Sequence, residues 1–123
     1  MPHSTNLDGQ RVLLVEDEWV IAVDLVHALR EDRAEVVGPV PTLLQAMQVL
    51  ASERAVTCAV VDVNLRGIMA YPLADELQRR GVPFLFTTGY DAESLPPRYA
   101  RLPRCQKPVD ARDVARTLRK MLA

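Results

Sequence analysis

Cysteine and histidine are scarce in this sequence, two of each among 123 residues. Cys58 and Cys105 show no metal-ligand spacing and sit in or beside apolar runs, so both read as buried free thiols. His3 lies in a polar terminal stretch and His27 in a helical one, and neither has the company that a metal site or catalytic triad needs. Positive charge is not in excess: the formal net charge is −1 and the basic residues are scattered, which argues against a nucleic-acid or membrane-surface partner. No apolar run approaches the length required to cross a bilayer, and residues 1–10 lack the basic and apolar regions of a signal peptide. A cytoplasmic protein is the expectation. Repeats, low-complexity segments and linkers are absent too, and 49% hydrophobic with 25% charged residues suit one domain that buries its own core. Residues 1–10 read as a flexible leader and 11–123 as that domain.

What is present is a strict alternation of short apolar runs and helical periodicity. Strands are expected at residues 11–15, 35–38, 57–61, 82–87 and, briefly, 104–106. Between them, Ile21, Leu25, Ala28 and Leu29 follow helical spacing from residue 19 to about 32. Thr42 with Gln45 forms a capping-box signature ahead of Leu43, Leu44, Met47 and Leu50. A third helix from about residue 70 to 80 carries Leu73, Ala74 and Leu77 inward, has Pro72 in its first turn and stops at Gly81. Pro96, Pro97 and Pro103 limit a fourth helix to about one turn. Asp110 is an N-cap for a last helix with Val114, Leu118 and Met121 on one face. Strands alternating with helices specify an α/β fold, a doubly wound five-stranded parallel sheet in a (βα)5 flavodoxin-like sandwich. The expected strand order is 2-1-3-4-5, with the site at the switch point between the first and third strands.

Four polar stations close the apolar runs: Glu16-Asp17 after Leu14-Val15, Asp62 after Val60-Val61, Thr88 after Phe84-Leu85-Phe86, and Lys107-Pro108 after Cys105. Ligands of parallel sheets bind beyond the carboxyl ends of the strands, so the stations are expected to converge. Two carboxylates ~4 Å apart at an effective dielectric of ~20 repel by about 4 kcal/mol, and three of them need compensating cations. Lys107 offers one, and Mg2+ suits the rest of an all-oxygen site with open positions. Asp17 and Asp62 are the expected direct ligands, Glu16 a ligand through water, and the backbone carbonyl of Asn64 a further oxygen. Asp62 is then a carboxylate nucleophile able to hold a phosphoryl group as an acyl phosphate, with Lys107 and the Thr88 hydroxyl offsetting its charge. Taken singly, Asp17 reads equally well as a helix cap, Thr88-Gly89 as a turn and Lys107-Pro108 as a common pair. Asp62 does not, because Asp is disfavoured beside a β-branched strand and no helix starts directly after it.

The motifs V-L-L-V-E-D-E, V-V-D-V-N-L, F-T-T-G-Y and K-P resemble the receiver domain of two-component response regulators over residues 11–122. That resemblance implies phosphoryl transfer from a histidine kinase onto Asp62, with Glu16 and Asp17 as the acidic pair, Thr88 as the switch hydroxyl and Lys107 as the family's lysine. The stretch Pro83-Phe84-Leu85-Phe86-Thr87-Thr88-Gly89-Tyr90 is similar to the signature of the FATGUY subfamily, whose members are often single-domain partners of HWE or related histidine kinases. Two positions depart from the family pattern. The residue three before the lysine, commonly Tyr or Phe, is Arg104, and the prolines after Tyr90 shorten the face through which many receivers dimerise. A monomer or weak dimer is therefore expected. Tyr90 could stand in for the missing aromatic or shield the acyl phosphate, or simply pack on the surface.

The combined expectation is a single-domain response regulator, not an enzyme beyond its own phosphorylation and dephosphorylation. Its donor is a histidine kinase or phosphotransfer protein, its readout Thr88, Gly89, Tyr90 and Arg104, and its role a phosphate sink, a shuttle or a switch for a downstream protein partner. Met1 and the helical ending at Ala123 fit a stand-alone chain better than a receiver cut from a hybrid kinase. Two other classes compete. A receiver-like module that never carries phosphate is favoured only by the missing aromatic. A Mg2+-dependent phosphohydrolase of the haloacid dehalogenase type needs a second acid two residues after the nucleophile, where this chain has Asn64.

Overall fold

The computed structural model describes residues 6–52, 55–89 and 95–123. In chain order the first half runs β1 (Arg11–Val15), α1 (Trp19–Glu31), β2 (Glu35–Val40), α2 (Leu43–Ser52) and β3 (Cys58–Asp62). A small ribbon follows, β4 (Asn64–Leu65) and β5 (Ile68–Met69), then α3 (Tyr71–Arg79), β6 (Phe84–Thr88), a 3-10 turn at Pro97–Tyr99, β7 (Arg104–Gln106) and α4 (Ala111–Leu122).

The runs rich in β-branched and aromatic residues form the middle of one sheet, and β3 and β6 are buried at every position. The five-stranded sheet has the order β2-β1-β3-β6-β7, and each neighbouring pair is parallel. This is the doubly wound order expected from the alternation of elements. Side chains alternate across the sheet into two cores. Leu13, Val15, Ala59, Val61, Phe84 and Phe86 meet α2 and α3 on one face. Val12, Leu14, Cys58, Val60 and Leu85 meet α1 and α4 on the other. Each fully buried aliphatic or aromatic side chain contributes about 1.5–3 kcal/mol, so the central strands are fixed more firmly than any loop.

The helix signals hold in detail. Thr42 and Gln45 bond reciprocally at the start of α2, with Gln45 N–H donating to Thr42 Oγ1 and the Thr42 hydroxyl donating to Gln45 Oε1, both at 3.1 Å. Asp110 accepts the Arg112 N–H as N-cap of α4. The buried stripe of α2 is Ala46 and Leu50, whereas Leu44 is 67% exposed. Leu43 and Met47 flank that stripe, and Leu44 lies one helical step off it.

Several features differ from the sequence reading. The ribbon of β4 and β5 was not anticipated; its two-residue turn, Arg66-Gly67, has both residues at positive φ. Among the described residues there are four α-helices instead of about five; the fourth, expected to be limited to about one turn by Pro96, Pro97 and Pro103, is a single turn as anticipated but of 3-10 type. Cys58 is buried as expected, but Cys105 is only half-buried on the short strand β7. Leu7, within the expected leader, packs into the core and donates its N–H to Asp32 O at 2.7 Å. Residues 1–5, and Tyr90 with 91–94, lie outside the described residues.

Strand β2 runs on to Val40, past Gly38-Pro39. It is an edge strand, where a proline forfeits no ladder bond. The pairing slips between Leu13 and Val15, and Val40 O then accepts the Glu16 N–H at 3.1 Å. Gly38 makes this possible: at φ +108° an added Cβ would meet Leu14 O at 2.7 Å and Val40 N at 2.9 Å. Gly81, at φ +70°, closes α3 in open space instead. Gly38→Ala is accordingly expected to destabilise the fold by about 2 kcal/mol or more, against about 1 kcal/mol for Gly81→Ala, measured by urea denaturation.

Candidate functional site

The carboxyl ends of β1, β3 and β6 and the segment after β7 meet at one rim of the sheet. Backbone bonds set each station. Glu16 is held by Val40 O, Val63 N–H donates to Thr87 O at 3.0 Å, and Lys107 N–H donates to Thr88 O at 2.7 Å. Glu16, Asp17 and Asp62 each offer a carboxylate oxygen, and these oxygens lie within 4.8 Å of one another. Lys107 Nζ reaches the same group from the opposite side, 2.9 Å from Asp62 Oδ2 and 3.6 Å from Glu16 Oε1. The stations at Glu16-Asp17, Asp62 and Lys107 therefore converge, at a cleft of about 400 Å³ whose walls include Asp17, Asp62, Asn64, Gly89 and Lys107.

Glu16 and Asp62 are each only 2% exposed, so burial dominates their titration. Burial pushes the Glu16 carboxyl up to about 8, and neighbouring Asp62 adds to the rise while the Glu18 N–H and Lys107 oppose it. Burial also raises the Asp62 carboxyl, against the hydrogen bond from Lys107. Burial works against the Lys107 ammonium as well, but Asp62, with Glu16 and Glu18, outweighs it and lifts the pKa above the ordinary lysine value. Once Glu16 gives up its proton, the pocket is short of positive charge.

Glu16 Oε1 makes the deficit concrete, because it is buried without a hydrogen-bond partner. Its other oxygen accepts the Glu18 N–H at 3.1 Å. An all-oxygen set of carboxylates with one buried orphan fits a hard divalent cation, and Glu16, Asp17 and Asp62 could hold one. Asp17 is not spent as a helix cap: the N-cap of α1 is Glu18, with no side-chain cap bond. Asn64 lines the cleft, donates its N–H to Asp62 Oδ1 at 3.1 Å, and accepts the Gly67 N–H on Oδ1 at 2.5 Å.

The remaining predicted residues are less central. Thr88 ends β6 and is 1% exposed, but Gly89, not Thr88, lines the cleft. Thr87, not Thr88, is level with Asp62 in the sheet. Arg104 opens β7, level with Phe86, and donates from Nη1 to Ala100 O at 3.0 Å. Three contributors escaped the sequence reading. Glu18 lies 3.5 Å from Lys107 Nζ. Arg66 lies 3.6 Å from Asp17 Oδ2, and the Arg-Gly turn after a two-residue strand was its available signal. Tyr99 is fully buried, stacked on Tyr71 at 5.0 Å and edge-on to Phe86 at 5.8 Å.

The acidic cluster and the lysine thus sit at the switch point of a doubly wound sheet, where ligands of such sheets bind. No protein-family model matches the chain, and no curated protein matches it. Solved structures do. SdrG from Sphingomonas melonis Fr1 is 35% identical, with a TM-score of 0.79, over 93% of this chain and 97% of that one. SdrG in a BeF3-activated conformation, from Pseudomonas melonis Fr1, is 34% identical with a TM-score of 0.78, over 98% of this chain and 100% of that one. A CheY-like response regulator receiver domain protein from Methanospirillum hungatei JF-1 is 23% identical, with a TM-score of 0.78 over 92% of this chain and 93% of that one, a likeness of fold. The chain belongs to the response regulator receiver domains.

The raised Glu16 carboxyl has a measurable sign. Between pH 4.5, the model-compound value, and about 8, folded Glu16 keeps a proton that the unfolded chain has released, so stability without divalent cations falls across that window as pH rises. Glu16→Gln is expected to flatten that fall and to raise the melting midpoint at the alkaline end by about 3 °C in chelator, read by scanning calorimetry. An unchanged slope would show that Glu16 is not its source.

Proposed function

We propose that this receiver is a Mg2+-dependent phosphoryl acceptor whose nucleophile is Asp62. The observation that carries the reading is the placement of that carboxylate: 2% exposed, bonded to Lys107 Nζ at 2.9 Å, and within ligand distance of Glu16 and Asp17. Asp17 and Asp62 would hold the ion directly, Glu16 through water, and Asn64 with its backbone carbonyl. The ion supplies charge neutralisation on the phosphoryl oxygens.

The chain's own groups do the rest. An Asp62 oxygen attacks phosphorus, the new O–P bond forms as the donor's P–N bond breaks, and the electron pair leaves with the imidazole nitrogen. Lys107, already in contact with Asp62, Glu16 and Glu18, follows the charge from the carboxylate to the phosphoryl oxygens. The Asn64 N–H on Asp62 Oδ1 orients the nucleophile. No acid stands two residues after Asp62, since Asn64 is there, so a leaving-group acid of the phosphohydrolase kind is missing at that place. The protein therefore turns over only its own phosphate.

Phosphorylation adds roughly one negative charge and new acceptor oxygens, and in this reading Thr88, at the end of β6, moves inward to answer it with its hydroxyl. Gly89, where an added Cβ meets nothing within 4 Å, has room for the accompanying backbone change. Tyr90 and Arg104 complete the readout in this reading. The description of SdrG in a BeF3-activated state supports it, because a tetrahedral fluoroberyllate on a carboxylate imitates a phosphoryl group.

In this proposal the protein is cytoplasmic, its donor is a histidine kinase, of the HWE or a related class, or a phosphotransfer protein, and its role is a phosphorylation-controlled contact with a further protein or that of a phosphate sink or shuttle. Trp19 and Val20, 73% and 74% exposed, follow the cleft residue Glu18, and Ile68, 59% exposed, follows the cleft residue Gly67. An apolar rim of this kind suits a helical donor presenting its phosphohistidine to the cleft. Incubation with Mg2+ and acetyl phosphate or a phosphohistidine donor is expected to give a one-phosphoryl, hydroxylamine-labile gain in intact mass. Asp62→Ala and excess chelator should abolish it, and Lys107→Ala should slow it by about 100-fold. A gain that survives Asp62→Ala would refute the assignment.

A further inference from the structure

The cleft holds a second cation that the chemistry above leaves without a task. Arg66 Nε is 3.6 Å from Asp17 Oδ2, with the arginine side chain 81% exposed and the aspartate side chain 9%. The two positive groups divide the acids between them: Lys107 contacts Glu16, Glu18 and Asp62, while Arg66 contacts Asp17.

The turn does not explain the arginine. Arg66 sits at φ +56° and Gly67 at φ +90°, a region in which Gly or Asn is accommodated at less cost than a long side chain. The turn is also pinned, because the Asn64 side chain that accepts the Gly67 N–H belongs to the residue whose own N–H holds Asp62. The base of the Arg66 side chain is thus anchored to the nucleophile strand while its guanidinium reaches across to the end of β1. Asp17 is one of the carboxylates that a divalent cation would need, and its single negative charge is then shared between two positive partners that repel one another.

We propose that Arg66 is a positioning residue that competes internally with the divalent cation: it occupies Asp17 in the cation-free pocket and, once displaced, is freed at the cleft mouth to meet the incoming phosphoryl oxygens. This rests on the reading of Glu16, Asp17 and Asp62 as the cation site. Magnitudes keep the competition mild, since an exposed ion pair shifts an equilibrium by about two- to fivefold. Mild competition is what a reversible switch needs: the pair lowers charge repulsion in the resting pocket without excluding the cation. The released guanidinium has the planar fork that matches phosphoryl oxygens.

The test titrates the full chain with Mg2+ by calorimetry and by the emission of Trp19, its one tryptophan, two residues from Asp17. Arg66→Asn keeps a residue that tolerates positive φ and removes the charge; Arg66→Lys keeps the charge. Arg66→Asn is expected to bind Mg2+ about two- to fivefold more tightly than the wild type, with Arg66→Lys close to wild type. At saturating Mg2+, Arg66→Asn should need a higher phosphoramidate concentration for half-maximal phosphorylation. Equal or weaker Mg2+ binding by Arg66→Asn overturns the competition, and an unchanged phosphoramidate dependence overturns the second role. Wild-type binding separates the failures: if it is present, only the role of Arg66 falls, and if Mg2+ binds no variant, the cation site falls with it.

Discussion

Everything at the rim of this sheet answers to one electrostatic constraint, three acids gathered where water is largely excluded, with the half-buried Lys107 ammonium set against two of them and the exposed Arg66 against the third. Charges so placed repel at low dielectric unless something rigid holds them. The rigidity comes from below, because β1, β3 and β6 are locked between two apolar cores and their last residues have little freedom to move apart. The edge strand contributes as well: its irregular pairing at Gly38 carries Val40 O to the Glu16 N–H and fixes where the first acid points. Core packing and pocket chemistry are thus two ends of the same strands.

Much of this was legible in the sequence because its two controlling signals are strong. Buried runs such as Val12-Leu13-Leu14-Val15 and Ala59-Val60-Val61 can only be central strands, and polar residues directly after them have nowhere to go but the rim. The capping pairs at Thr42 and Asp110 were equally plain, because each names the backbone donor that it satisfies. What escaped was decided by tertiary context. The two-residue strands β4 and β5 are too short to show a period. Which leucines of α2 turn inward depends on neighbours, and composition alone treats Leu44 like Leu50. Arg66 and Glu18 look like any exposed charges until the fold brings them to the cleft.

The geometry also sorts the bland explanations of single residues from the functional ones. Asp17 is free of capping duty, and Asp62 is followed by a ribbon instead of a helix, so the ordinary structural uses of these aspartates do not apply. Thr88 is the less conspicuous member of the set. Its backbone oxygen anchors Lys107, which couples the end of β6 to the ammonium whether or not its hydroxyl is engaged.

Tyr99 gives the molecule a fixed post in the 3-10 turn at Pro97–Tyr99. Its ring is sealed between Tyr71 and Phe86, and its hydroxyl bonds to Asp75 on α3. Arg104, on β7, is tied by its guanidinium to Ala100, the residue that caps the same 3-10 turn. One ring thus stitches the 3-10 turn to both α3 and β6, so that a change at any one of the three is felt by the other two.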